Sequence, residues 1–213
     1  MIDQEGSRVT IPFEDVELEG MLEIPELAEG LVVFAHGSGS SRHSPRNAFV
    51  AEMIRERGVA TLLFDLLSEI EDRERENRFD IPLLANRLVG TTHWLRKQGP
   101  TANMRIGLFG SSTGAAAALL AAAQPGGSID AVVSRGGRVD LAESALEAVQ
   151  APTLFIVGGA DTWVLERNRE AYDRLHCEKQ LHVIEGAGHL FDEENELEEV
   201  AETAADWFAN ALG

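Results

Sequence analysis

Short runs of apolar residues alternate with stretches of helical spacing along most of the chain. The segment 31–35 is apolar at every position, which is typical of a strand buried on both faces of a sheet. Similar short runs predict further strands at 60–67, 106–109, 131–133, 153–157 and 180–184. Apolar residues spaced three and four apart predict helices at 49–57, 81–96, 114–123 and 196–211.

The order of these elements predicts the fold class. Near the N-terminus, period-two alternation at 9–11 and 16–24 indicates an antiparallel pair of strands. Beyond it, strands that alternate with helices indicate an α/β fold with a mainly parallel sheet flanked by helices on both faces. No repeat, low-complexity tract or long linker divides the 213 residues, so we expect one domain over 1–213. In such a fold the ligand site lies outside the carboxyl ends of the strands.

Composition and charge argue against several classes of partner. The chain carries 18 basic and 36 acidic residues, a net charge of −18, which disfavours binding to a nucleic-acid backbone. Its one cysteine, Cys177, cannot form an internal disulfide framework or a cysteine-based zinc site. No apolar run approaches the ~18 residues that a membrane span needs, and the N-terminus has no secretory pattern. We therefore expect a cytoplasmic protein with no nucleic-acid partner, no membrane partner and no metal.

A candidate nucleophile follows the strand predicted at 106–109. There the residues G-S-S-T-G at 110–114 lead directly into a helix, which is the strand–turn–helix context of a nucleophile elbow, G-x-S-x-G. In so tight a turn, larger side chains at the two glycine positions would collide. The turn raises the Ser112 hydroxyl above the sheet and places the Thr113 amide at a helix N-terminus, where negative charge is favoured.

A serine nucleophile needs a base and a group that orients the base. Asp161 and His189 each follow one of the last two predicted strands in a glycine-rich turn, in the chain order Ser, acid, His that this architecture uses. Two alternatives are open: Asp161 could cap the helix that begins near Val164, and His189 could be an ordinary loop residue. Because three residues take the expected places together, we favour a triad of Ser112, Asp161 and His189.

An oxyanion hole would need two backbone donors. The Thr113 amide supplies one, and the glycine- and serine-rich loop after the strand at 31–35 is placed to supply the other, for which we expect the Ser38 amide. The alternative is that this loop is only a flexible turn.

From about Val16 to Phe208, the sequence resembles the α/β-hydrolase fold and, within it, the small dienelactone-hydrolase-like branch. The resemblance rests on His36-Gly37, the elbow at Ser112, Asp161 after Gly158-Gly159, and Gly188-His189. The chain also resembles hydrolase domains that are attached to phosphoribosyltransferases in some bacteria.

This resemblance implies an acyl hydrolase that needs no cofactor and acts on a small-molecule ester-like substrate. True dienelactone hydrolases use a cysteine nucleophile, whereas position 112 is serine, so a serine esterase or related acyl hydrolase is implied rather than dienelactone itself as substrate. Larger relatives insert a lid near residue 134, where this chain has only the short segment 134–138, so we expect no sizeable lid domain. A thioesterase or acyltransferase with the same triad, and a non-catalytic ligand-binding accessory protein of the same fold, stay open, as does the oligomeric state.

Arginines near the predicted site raise the question of an anionic substrate. Arg42, Arg135 and Arg138 follow strand ends or the oxyanion loop, and guanidinium groups hold anions by bidentate contacts. The competing interpretation, which we favour, pairs these arginines with the acidic loop at 69–74. The highly charged segment 68–78 is either a mobile flap or a solvated loop.

Overall fold

The computed structural model describes residues 7–125 and 128–213, and eight strands within them form one sheet. The strands are β1 (Ser7–Pro12), β2 (Glu17–Glu23), β3 (Gly30–Ala35), β4 (Ala60–Phe64), β5 (Arg105–Ser111), β6 (Ala131–Arg135), β7 (Thr153–Gly158) and β8 (Lys179–Ile184). Their spatial order is β1-β2-β4-β3-β5-β6-β7-β8. β1 pairs antiparallel with β2, and β2 with β4, whereas β3 to β8 run parallel. The predicted α/β fold with an antiparallel entry is confirmed.

Five helices cover the two faces of this sheet. They are α1 (Pro45–Glu56), α2 (Ile81–Leu95), α3 (Thr113–Ala122), α4 (Thr162–Arg174) and α5 (Glu194–Leu212). α1 begins four residues before the predicted helix because proline opens its first turn and the Ser44 hydroxyl accepts the Asn47 N–H as an N-cap. Apolar spacing alone could not locate this polar first turn.

Each face of the sheet has its own apolar core. On one face, α1 and α5 bury a cluster around Phe34, Phe109 and Phe208. On the other face, α2, α3 and α4 pack on a larger cluster, in which the alanines of α3 are almost fully buried. Small side chains let α3 lie close to β5, and this contact holds the turn between them in a defined position.

The connection from β6 to β7 contains two single 3-10 turns, Val139–Ala142 and Leu146–Ala148. Val139 and Leu146 are buried in the core beside α3, so this connection is part of the domain body and not an inserted lid. The expectation of no sizeable lid is therefore confirmed. Within the described residues, no helix is long and apolar enough to cross a membrane.

Candidate active site

Ser112 occupies a strained turn between β5 and α3. Its backbone has φ 52° and ψ −117°, a conformation that L-residues rarely adopt. The neighbouring strand end holds it there, because the Ser112 N–H donates to the Arg135 carbonyl at 3.1 Å and the Arg138 N–H donates to the Ser112 carbonyl at 3.0 Å. A Cβ at Gly114 would lie 2.6 Å from the His36 carbonyl oxygen, and one at Gly110 would lie 2.6 Å from the Gly114 carbonyl oxygen. The turn therefore requires glycine on both sides of the serine, as the sequence predicted.

The structure brings Asp161 and His189 together. Asp161 stands at the N-cap position of α4, but its side chain makes no capping hydrogen bond there. Instead, its Oδ2 lies 2.6 Å from Nδ1 of His189, in the loop after β8. The Asp161 side chain is 17% exposed and that of His189 is 39% exposed, so the pair is partly shielded while the imidazole stays accessible. The helix-cap alternative therefore does not describe what this carboxylate does.

The end of β6 lies between the serine and the histidine. The Arg135 carbonyl binds the Ser112 amide, and the next residue, Gly136, packs against the His189 ring, with a hypothetical Cβ only 3.6 Å from Nδ1 and Cε1. Gly136 has φ 53° and is buried. Ser112, Asp161 and His189 thus follow the carboxyl ends of β5, β7 and β8, with Gly136 leaving room for the imidazole at the end of β6 between them.

The two residues predicted for the oxyanion hole contact each other. The Ser38 N–H donates to Oγ1 of Thr113 at 2.9 Å. The preceding Gly37 packs on the nucleophile, since a Cβ there would lie 3.3 Å from the Ser112 Cβ. Thr113 is the first residue of α3, so the helix supplies no acceptor for its own N–H. The loop and the helix start are therefore adjacent to Ser112, and the Ser38 amide already has an acceptor in Oγ1 of Thr113.

His36 anchors the loop that approaches the serine. The Leu66 N–H donates to Nε2 of His36 at 3.1 Å, and Nδ1 lies 3.0 Å from the Gly37 carbonyl. These contacts assign the proton to Nδ1, because Nε2 must carry a lone pair. Burial is the main cause that lowers the pKa of His36. The sequence marked this residue only as part of a motif, because its partner Leu66 lies 30 positions away.

Two of the three candidate substrate-binding arginines have carboxylate partners of their own. Arg42 pairs with Asp65 and Glu19. Arg138 binds Asp140 at 2.8 Å, and this hydrogen bond raises the pKa of Arg138. Both arginines therefore form salt bridges, but the favoured pairing with the 69–74 loop is wrong, because Glu19, Asp65 and Asp140 are the carboxylates within reach.

The 69–74 loop is held by other arginines instead. Arg78 binds Asp72 at 2.8 Å, and Arg87 binds Glu71 at 2.7 Å. Two acidic side chains of this loop, Glu71 and Asp72, therefore have cationic partners further along the chain.

The surroundings of the site are acidic on one side and apolar on the other. A cavity of about 440 Å³ opens beside the His36 loop, and its wall contains the carboxylates Glu17, Glu19, Asp65, Glu69 and Asp72. Ser112 and His189 do not line it. Near the Asp161–His189 pair, Trp163 and Leu190 are exposed to 50% and 47%. In residues 7–125 and 128–213, no group of three or more His, Cys, Asp or Glu side chains is arranged to hold a metal ion.

Comparison with known proteins places this geometry in a family. Residues 48–212 match the family described as the dienelactone hydrolase family. The crystal structure of a dienelactone hydrolase from Anabaena variabilis is similar at a TM-score of 0.96 and 50% identity, over 99% of this chain and 100% of that one. Est1E from Butyrivibrio proteoclasticus shares the fold at a TM-score of 0.81 and 18% identity, over 96% of this chain and 98% of that one.

A longer relative carries the same region. A Mycobacterium tuberculosis protein, provisionally named a phosphoribosyl transferase, is 56% identical over 197 residues, which are 92% of this chain and 44% of that protein. The chain thus spans less than half the length of the curated relatives that it matches.

Proposed function

The chain belongs to the dienelactone hydrolase family and is a hydrolase of the α/β-hydrolase type, and from this premise we propose that it cleaves carboxylic esters through an acyl-enzyme on Ser112. The observation that carries the proposal is the 2.6 Å contact between Asp161 and His189, made at the same edge of the sheet as the strained Ser112 turn. A carboxylate that could cap a helix orients an accessible imidazole instead.

The proposed mechanism begins with proton transfer from the serine. Nε2 of His189 takes the hydroxyl proton as Oγ of Ser112 attacks the ester carbonyl, and Asp161 holds Nδ1–H and stabilises the imidazolium. The imidazolium then protonates the leaving alcohol. A water molecule, deprotonated by the same imidazole, attacks the acyl-enzyme and releases the acid. The imidazolium then gives the proton it took from water to Oγ of Ser112, which replaces the proton that left with the alcohol. The cycle consumes one ester and one water molecule and regenerates the enzyme.

The developing oxyanion would be stabilised by the Thr113 amide at the start of α3 and by the Ser38 loop. The Ser38 N–H already donates to Oγ1 of Thr113. The oxyanion would therefore accept either a bifurcated hydrogen bond from the Ser38 N–H or a hydrogen bond from the Thr113 O–H. Both arrangements keep the stabilising groups on Ser38 and Thr113.

Small or surface-presented esters are favoured because, within the described residues, the β6–β7 connection is packed into the core and forms no inserted lid. The exposed Trp163 and Leu190 offer an apolar surface beside the imidazole.

The transferase name belongs to a longer Mycobacterium protein, and the matched region makes up 44% of that protein. Phosphoribosyl transfer is therefore not part of the function proposed for this chain.

Covalent labelling tests the proposal directly. Wild type, Ser112→Ala and His189→Ala would be treated with a fluorophosphonate and measured by intact-mass spectrometry. Ser111→Ala is the matched control, because this adjacent serine is buried and its hydroxyl faces Asn47. We expect one adduct on wild type and on Ser111→Ala, and none on the other two variants. A folded wild type that takes no label would instead indicate a non-catalytic protein of this fold.

Turnover of matched esters and thioesters would then identify the acyl bond. Hydrolysis of 4-nitrophenyl butyrate that is lost in Ser112→Ala supports the esterase. A thioester preferred by a large factor in kcat/KM would assign the same triad to a thioesterase.

A further inference from the structure

Arg135 is the last residue of β6 and lies beside the proposed nucleophile. In the sheet register it pairs with Ser111, and its carbonyl accepts the Ser112 N–H. Its side chain follows Val133 onto the face covered by α1 and α5, since residues two apart in a strand share a face. There its guanidinium carbon lies 5.7 Å from the centre of the Phe191 ring, two residues after His189. The guanidinium is therefore beneath the loop that carries the proposed base.

This guanidinium is buried without a counterion. Arg135 is 8% exposed, and within the described residues its Nε and Nη1 are fully buried without any hydrogen-bond partner. In the same part of the chain, no carboxylate lies within ion-pair distance of it, whereas Arg42, Arg46 and Arg138 each have one. Burial, and then the charge of Arg46, lower the pKa of Arg135 to about 10, so the group stays charged at neutral pH. A buried charge without a partner is strongly unfavourable unless a bound ligand of opposite charge compensates it.

Arg46 connects this buried charge with solvent. It lies in the first turn of α1, its side chain is 37% exposed, and its partner Asp192 is itself 67% exposed. A surface ion pair of this kind is weak, so an incoming anion can displace Asp192 from Arg46. The two guanidinium groups then present two positive charges, and a group with two negative charges matches them better than a monoanion does.

We propose that Arg135 and Arg46 form a binding subsite for a dianionic phosphate group, beneath the loop that carries His189. The substrate class rests on the proposed function. If Ser112 hydrolyses esters, this subsite makes phosphorylated esters the preferred substrates. The phosphate oxygens accept hydrogen bonds from the buried guanidinium, and Asp192 is released to solvent.

Binding is measured without turnover, on Ser112→Ala, so that it stands apart from the esterase proposal. Thermal unfolding is followed with inorganic phosphate, with acetate, and with sodium chloride at matched ionic strength. Each is repeated in Arg135→Met, in which a side chain of similar length lacks the charge. Arg57→Met serves as the matched control, because Arg57 follows the opposite end of α1 and pairs with Asp206.

We expect phosphate to raise the Tm by several degrees at about 100 times its Kd, and acetate and chloride to do far less. Arg135→Met should weaken phosphate binding at least about tenfold, because it removes a charge-assisted donor, and its ligand-free Tm should equal or exceed that of the parent. Arg57→Met should respond to phosphate like the parent.

Three results would overturn the subsite. They are a phosphate response that Arg135→Met retains, an acetate response as strong as that of phosphate, and no response beyond that of chloride. In the active enzyme, phosphate should inhibit hydrolysis of 4-nitrophenyl butyrate competitively, with a Ki about tenfold higher in Arg135→Met. A wild type that binds phosphate but hydrolyses no ester would refute the proposed function and leave the subsite standing.

Discussion

The carboxylate of Asp161 provides a sharp test of the triad, because the same side chain stands where it could cap α4. Asp161→Asn keeps the size of the side chain and its ability to cap a helix. It removes the negative charge that lies 2.6 Å from Nδ1 of His189 and the acceptor that fixes the Nδ1–H tautomer. A capping role therefore predicts little change, and a triad role predicts a large loss of rate.

The size of that loss follows from the geometry. The two side chains are 17% and 39% exposed, so a dielectric constant typical of a partly solvated site applies. With charge centres about 4 Å apart and an effective dielectric constant of about 20, the carboxylate stabilises the imidazolium by about 4 kcal/mol. Since each factor of ten in rate corresponds to about 1.4 kcal/mol, we expect kcat to fall about 10³-fold, and up to about 10⁴-fold if the wrong tautomer predominates.

The assay is hydrolysis of 4-nitrophenyl butyrate, with thermal unfolding measured on the same samples. Glu199→Gln is the matched control, because Glu199 lies 2.6 Å from Nε2 of His182 in a similar pair on β8 and α5. We expect Glu199→Gln to keep full activity, and Asp161→Asn to keep the Tm of wild type within a few degrees. A fall in kcat of less than about tenfold in a folded Asp161→Asn would refute the triad.

Two further changes test the loop and the turn around the serine. Gly114→Ala would place a Cβ 2.6 Å from the His36 carbonyl oxygen, and we expect the Tm to fall by at least about 5 °C. Gly99→Ala meets open space and should leave the Tm nearly unchanged, so equal effects in the two variants would contradict the packing. Because burial lowers the pKa of His36, the unfolded chain takes up this proton first as the pH falls, and stability declines below about pH 6.5. Urea unfolding between about pH 7.5 and 5.5 should show the free energy of unfolding falling by up to about 1.4 kcal/mol for each pH unit. The fall should be smaller in His36→Gln. Equal slopes in the two proteins would count against a buried neutral imidazole.

The amino-acid sequence alone determined the fold class and the places of the proposed catalytic residues. Short, fully apolar runs such as 31–35 are typical of buried strands in a covered sheet, and the glycines on both sides of Ser112 encode the turn locally. Asp161 and His189 were found because parallel strands bring their carboxyl ends to one edge, whatever the details of packing. These inferences depend on periodicity and chain order, which are properties of short segments.

Only the tertiary structure decided which side chains have partners. Asp161 could bind its own helix or a histidine 28 positions away, and the packing of β7 against β8 selects the histidine. Arg42 and Arg135 look alike in the sequence, yet Arg42 reaches Asp65 on the neighbouring strand end, whereas Arg135 is buried under Phe191 without a carboxylate. Such pairings depend on the orientation of side chains from distant segments, to which hydrophobic periodicity is insensitive. The charge that matters most for a ligand is therefore visible only once the chain is folded.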